Sequence, residues 1–330
     1  MKKIKNKLFF DSDISLKSIR DKQIGIIGYG NQARAQALNL KDSKIKVRVG
    51  LRMGSKSLNL VKEDCLIPLT IPEIFDNCDI ISLLIPDNKI KNLLEKYSSC
   101  ITKDHILLVS HGYTFVYEDF TVPDPDNVIM VAPSGGGHIV RSEYKKGFGV
   151  PALVACYKSE KHLGVALAYA KAIGSSRAAV FKSTFQEETE TDLFAEQAIL
   201  TGSIPIIIIE SFKVLLEEGY DPVISWFVCF YETKTIIDLI FKKGLNDFYD
   251  SVSNTARYGG LTRGSYLIDD DFKAKMKKII KDIKNKNFHN ELVSALNKDS
   301  GDRLKKKILN SEDFNDLEKE LLIKILKSTD

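Results

Sequence analysis

The densest chemistry in the sequence is the run TFQEETETDLFAEQ, residues 184–197. Asp192 and Glu196 are four apart, on one face of any helix drawn through them, with Leu193, Phe194 and Ala195 between. Two carboxylates that project together suit a hard divalent cation such as Mg²⁺. Glu187, Glu188 and Glu190 have a plainer explanation. Acidic residues in the first turn of a helix are favoured by its dipole, and Thr184 with Glu187 forms a capping box. Glu232 lies in another apolar segment, WFVCFYETKTIIDLI, where a carboxylate calls for a lysine partner or a metal.

A second signal is IIGYGNQARAQ, residues 26–36. An apolar run leads into Gly28-Tyr29-Gly30-Asn31-Gln32-Ala33 and then into a helical stretch, the G-x-G-x-x-A arrangement of a dinucleotide-binding turn. Gly28 permits the tight turn, Gly30 lets backbone approach a pyrophosphate, and Ala33 allows close helix–strand packing. The alternative is an unoccupied strand–helix turn. The next strand ends in VRVGL followed by Arg52-Met53-Gly54-Ser55-Lys56-Ser57, with no carboxylate to receive a ribose hydroxyl. An arginine with two serines suits a 2′-phosphate instead, so NADPH is the expected cofactor; a basic surface loop is the alternative. His111, in LLVSHGY, falls at the end of an apolar run beside Gly112, where ligands bind in doubly wound sheets. His138 follows PSGGG and is read as structural; His105, His162 and His289 have no supporting context.

Elements must position these residues. Residues 23–30, 44–51, 78–86, 105–112, 127–133 and 151–157 are short apolar runs bounded by turn residues, alternating with amphipathic stretches. That alternation predicts an α/β, Rossmann-type, doubly wound parallel sheet. No strand is expected after about residue 183; helical periodicities cover 186–201, 203–219, 222–243, 270–285 and 290–329. The expected domains are therefore 1–183 for the nucleotide and 184–330 for metal, substrate and dimer contacts.

Composition narrows the setting. A net charge of +4 is too mild to argue for nucleic acid, and the lysines gather near the two ends. The five cysteines, with no C-x-x-C pair, read as free thiols of a cytoplasmic protein. The N-terminal lysines lead into no apolar stretch of signal-peptide length, and runs such as SIPIIIIESF are too short to span a bilayer. Trp226 is expected in the core or a dimer contact.

GYGNQARAQALNL, VGLRMGSKS, SHGY, VIMVAPSGGGH, EETETDLFAEQ and SVSNTARYG together resemble ketol-acid reductoisomerase in its short, bacterial-type form, from about residue 8 to about residue 290. The resemblance implies a Rossmann domain followed by an all-helical, knotted domain, NADPH, two Mg²⁺ ions, and a homodimer or higher homo-oligomer with active sites between subunits. It implies isomeroreduction of a small branched 2-hydroxy-2-alkyl-3-keto acid such as 2-acetolactate, a step of branched-chain amino-acid synthesis. Carried over by position, Asp192 and Glu196 are metal ligands and Glu232 is offered from a partner subunit. Ser253 contacts substrate carboxylate, and His111 stands near the nicotinamide. Gly28, Tyr29, Gly30, Asn31, Gln32, Arg52, Ser55, Ser57, Asp87 and Gly137 match cofactor-contacting positions.

The departures fall in the site. Ser134 stands where the family has a catalytic lysine, Val228 where it has a second carboxylate, and Arg257 where it has a glutamate; Ala33, Arg34 and Gln36 alter the glycine-rich loop. Loss of the lysine and one carboxylate should harm alkyl migration more than hydride transfer, because migration relies on paired ions and proton handling. Two alternatives follow: a specialised 2-keto-acid reductase without the migration step, and a non-catalytic nucleotide-binding homologue.

Overall fold

The computed structural model describes residues 7–296, 300–309 and 312–327. They fall into two compact units, Met1–Thr189 and Glu190–Asp330. The division lies within a helix, whereas the sequence places it just before that helix.

The first unit is built on nine strands: β1 (Leu8–Phe9), β2 (Gln23–Ile27), β3 (Lys46–Leu51), β4 (Ile67–Thr70), β5 (Ile80–Leu83), β6 (Ile106–Val109), β7 (Val128–Pro133), β8 (Ala152–Cys156) and β9 (Val180–Lys182). Their order across the sheet is β1-β9-β8-β7-β6-β5-β2-β3-β4. All six expected runs are strands. β2 to β7 run parallel in the doubly wound order, with the reversal between β2 and β5.

The sheet is nevertheless mixed: β8 runs antiparallel to β7, and β1 antiparallel to β9. An apolar run buried on both faces reads the same whichever way it points, so direction was not legible. β1, β4 and β9 were not expected. β4 is an edge strand that contains Pro68, which an edge tolerates.

Helices α1 (Asn31–Asp42), α2 (Leu58–Glu63), α3 (Ile71–Asn77), α4 (Asp87–Lys96), α5 (Tyr113–Tyr117), α6 (Gly137–Lys145) and α7 (Leu163–Ala172) connect the strands. One core cluster includes Ile24, Ile26, Val49, Leu108 and Tyr169, and another Ile27, Ile81, Leu107, Met130 and Phe185. Each fully buried side chain of this kind contributes about 1.5–3 kcal/mol relative to exposure.

Helix α8 (Phe185–Ala195) carries the chain into the second unit. There follow α9 (Ser203–Glu217), α10 (Pro222–Trp226), α11 (Glu232–Ser251), α12 (Asn254–Leu267), α13 (Asp270–Lys284), α14 (Asn287–Leu296), α15 (Ser300–Ile308) and α16 (Glu312–Lys327). α12 was missed because NTARYGGLTRGSYL holds three glycines and no apolar stripe. The stretch expected as one helix over 290–329 is broken into pieces, and part of it lies outside the described residues. Trp226, Phe212, Ile209 and Phe314 form the core of this unit, as expected for Trp226.

Two segments depart from α geometry: π turns span Glu196–Leu200 and Phe227–Tyr231. Through the first of these, Phe185–Glu217 forms a helical stretch of 33 residues with a mean hydropathy of 1.9 in its most apolar window, of which 11% is buried. By length and composition that stretch could cross a membrane, which corrects the expectation that the apolar runs were too short. The run SIPIIIIESF is one part of a helical stretch that continues on both sides of it.

Candidate active site

The glycine-rich turn leaves β2 at the sheet's C-terminal edge. Gly28 has φ 105°, and a Cβ there would lie 2.5 Å from the Leu84 carbonyl oxygen, so only glycine fits. Gly30 differs: a Cβ on it would meet nothing within 4 Å. It is the N-cap of α1 and provides no side-chain cap for the first-turn N–H groups. That cradle suits a pyrophosphate. Beside it opens a cavity of about 520 Å³ whose lining includes Gly28, Tyr29, Arg52, Ser55, Lys89 and Lys96.

Arg52 is exposed and has no ion pair among the described residues. Ser57 is the N-cap of α2, and its N–H donates to Ser55 Oγ at 3.3 Å. Three cations around one cavity fit a phosphorylated nucleotide, and the donor set favours a 2′-phosphate over a bare ribose hydroxyl. Lys89 and Lys96 were not anticipated; the signal was their spacing along the first helix after β5. Asp87 opens that helix, and its carbonyl accepts from Thr114 Oγ1 at 3.1 Å. Asn31 and Gln32 start α1. Gly137, at the start of α6, presses on that point: a Cβ on it would lie 2.0 Å from the Asn31 carbonyl oxygen.

A chain of buried and half-buried hydrogen bonds ties three edge loops together. Tyr169 donates its hydroxyl to Gln36 Oε1 at 2.9 Å, and Gln36 Nε2 donates to Ser110 Oγ at 3.1 Å and to Gln32 Oε1 at 3.2 Å. Gln32 Nε2 then donates to the Gly135 carbonyl at 2.6 Å. The cofactor turn, the His111 loop and the PSGGG loop are thus held in register. Ser134 is exposed at the end of β7, in the last of these loops.

His111 follows β6 and is held by Glu188: Nδ1 lies 2.8 Å from Oε1. Oε2 of the same carboxylate accepts the Gly112 N–H at 2.9 Å. Gly112 is needed here, since a Cβ would lie 2.5 Å from Thr189 Oγ1. Glu188 is 2% exposed, so its place near the helix start does not by itself account for it. The available signal was spacing, because residues 188, 192 and 196 recur every four. Thr184 does cap the helix, its Oγ1 accepting the Glu187 N–H at 3.0 Å.

In the second unit, Asp192 lies one turn before Glu196, and Glu196 opens the first π turn. Glu232 follows directly on the second. π turns re-aim the residues around them and recur at functional sites. The oxygen donors at Asp192 and Glu196 fit a hard cation such as Mg²⁺. Val228 is half-exposed in the second π turn. Ser253 caps α12, its Oγ accepting the Ala256 N–H at 3.1 Å. Arg257, one turn on, pairs with Asp250 at 3.2 Å.

Residues 18–179 match the acetohydroxy acid isomeroreductase NADPH-binding domain, and residues 185–321 the ketol-acid reductoisomerase C-terminal domain. The chain belongs to the ketol-acid reductoisomerase family. It is 43% identical over 291 residues to the ketol-acid reductoisomerase (NADP(+)) of Methanococcus maripaludis, covering 87% of this chain and 88% of that one. It is 41% identical over 316 residues to that of Methanopyrus kandleri, covering 95% of each. Among solved structures, an NADH-preferring ketol-acid reductoisomerase from an uncultured archean superposes with a TM-score of 0.89 at 32% identity, covering 96% of this chain and 98% of that one. The family explains why a glycine-rich nucleotide turn and a carboxylate-rich helix occur in one chain.

Proposed function

We propose that the chain catalyses NADPH- and Mg²⁺-dependent isomeroreduction of a small 2-hydroxy-2-alkyl-3-keto acid, with 2-acetolactate as the representative substrate. The observation that carries this reading is the buried Glu188 carboxylate gripping His111 Nδ1 and the Gly112 N–H at the sheet edge where the nucleotide turn opens. When bound, NADPH supplies the hydride and Mg²⁺ the charge that polarises the substrate's oxygens. Asp192, Glu196 and Glu232 would hold the metal; Arg52, Ser55 and Ser57 would hold the 2′-phosphate. Glu188 fixes the His111 ring and so presents Nε2 for proton transfer. The Ser253 hydroxyl and the start of α12 suit the substrate carboxylate.

We assign the exposed apolar face of the helical unit to a second copy of the chain. Ile207, Val214, Ile224, Phe227, Ile237 and Phe241 are all exposed, Phe241 at 92%. A soluble monomer rarely leaves so much apolar surface open. Protein is favoured over lipid as the cover, because Glu196 and the Glu210–Lys213 pair interrupt the long helix. Glu232 has no side-chain partner among the described residues, which suits a group offered to the neighbouring subunit. A cytoplasmic setting is part of the same proposal. Light scattering on detergent-free protein should report a dimer or a larger assembly; a stable monomer would overturn the assignment.

Ser134 motivates a second reading, a reductase that no longer moves the alkyl group, since a serine provides neither the reach nor the charge of a lysine. NADPH oxidation, followed in parallel with 2-acetolactate and with 3-hydroxy-3-methyl-2-ketobutyrate, separates the two. Oxidation with both supports the full reaction. Oxidation with the second alone supports the reductase, and oxidation with neither sinks both.

A further inference from the structure

Asp64, which no motif singled out, is the C-cap of α2, the helix that follows the Arg52–Ser57 loop. Its Oδ2 accepts the Tyr29 hydroxyl at 2.7 Å and Arg34 Nε at 2.7 Å. Its Oδ1 accepts Arg34 Nη2 at 2.9 Å, and its carbonyl accepts Lys41 Nζ at 2.8 Å. The Asp64 side chain is 13% exposed, unlike an ordinary surface pair, whose contribution is small. The Arg34 hydrogen bonds, opposed by partial burial and aided by Tyr29, hold the Asp64 carboxyl below its usual range. Burial, then Asp64 itself, pushes the Tyr29 phenol up. The tyrosine therefore stays a donor and the aspartate an acceptor.

We propose that Arg34 and Asp64 are positioning residues of the nucleotide site, setting the distance between its pyrophosphate end and its 2′-phosphate end. The inference rests on the NADPH reading above. Tyr29 lies between the two glycines of the turn and lines the 520 Å³ cavity together with Arg52 and Ser55. Asp64 joins them, since it belongs to the helix after the Arg52 loop and receives the tyrosine of the turn. Arg34 sits in the first turns of α1, so its fork locks that helix to the same carboxylate. A bidentate guanidinium fixes direction as well as distance. A ligand that touches both ends gains from this spacing; one that uses the pyrophosphate end alone gains little.

The test is the dissociation constant of NADPH and of NADH for the full-length protein, measured by titration of cofactor fluorescence. Asp64→Asn and Arg34→Ala should weaken NADPH by about tenfold, on the scale of one charge-assisted contact, and NADH by much less. Tyr29→Phe should weaken NADPH in the wild-type background and add nothing in Asp64→Asn, because the two act as one unit. Arg34→Lys should recover only part of the loss, since a single ammonium cannot reproduce the fork. Should Asp64→Asn fail to fold, Tyr29→Phe and Arg34→Lys carry the same comparison. Equal weakening of both cofactors, or no change in either, would overturn the inference. A wild-type protein that does not bind NADPH would overturn the enzyme reading itself, and that result is distinguishable because it appears before any variant is made.

Discussion

His111 Nδ1 lies 2.8 Å from Glu188 Oε1, and Glu188 Oε2 holds the neighbouring Gly112 N–H at 2.9 Å. One buried carboxylate thus fixes a histidine ring and the backbone beside it, and joins the end of β6 to the first turns of α8. Everything proposed for proton handling depends on that grip.

Glu188→Gln keeps the shape and removes the charge. The amide can still accept from Gly112, but it no longer stabilises a protonated imidazole. The variant should lose about 100-fold in kcat, within the range of general acid–base effects, with KM for NADPH nearly unchanged. Steady-state kinetics on both parameters checks this, and an unimpaired kcat would remove Glu188 from the account.

The glycines of the turn should separate by role. Gly28→Ala meets the Leu84 carbonyl at 2.5 Å with φ 105°, and should cost about 1–3 kcal/mol of stability. Gly30→Ala meets nothing and should leave thermal unfolding almost unchanged while weakening NADPH by about tenfold or more. Melting curves and cofactor titrations on the pair test the distinction. A Gly30→Ala variant that binds NADPH as well as the wild type would place the pyrophosphate elsewhere.

Glu232 follows directly on the second π turn, and Glu232→Gln removes its charge while keeping its shape. Helical content should persist, while the Mg²⁺ concentration needed for half-maximal rate rises at least about tenfold. An unchanged Mg²⁺ response in a folded variant would show that Glu232 is not a ligand.

Asp64 sets a pH expectation. Its folded pKa is lowered, so its stabilising effect is fully present above the unfolded value, near 3.9, and is lost as pH falls through the lower folded value. The melting-temperature gap between wild type and Asp64→Asn should therefore be constant from pH 7 down to about 5 and shrink below about 4. A gap that widens in acid would contradict the assignment.

Much of this architecture was legible. The six apolar runs, the glycine-rich turn and the start of the carboxylate-rich helix each carry a local pattern of spacing or turn chemistry that decides them. The antiparallel β8 did not, because burial on both faces hides strand direction. Glu188 was hidden for a related reason: an acidic first turn has a sufficient local explanation, and only the fold brings His111 to it. Asp64 had no pattern at all, since its three partners lie 23 to 35 residues away in sequence. The π turns carry no residue signature that distinguishes them from α-helix.

The chain is proposed both to move an alkyl group and to reduce the product. The most direct measurement is proton NMR of the compound formed from 2-acetolactate by the purified protein with NADPH and Mg²⁺. The expected product is 2,3-dihydroxy-3-methylbutyrate, with both methyl groups on one carbon and one equivalent of NADPH consumed. Unchanged 2-acetolactate, or a diol in which the methyl groups remain on separate carbons, would contradict it.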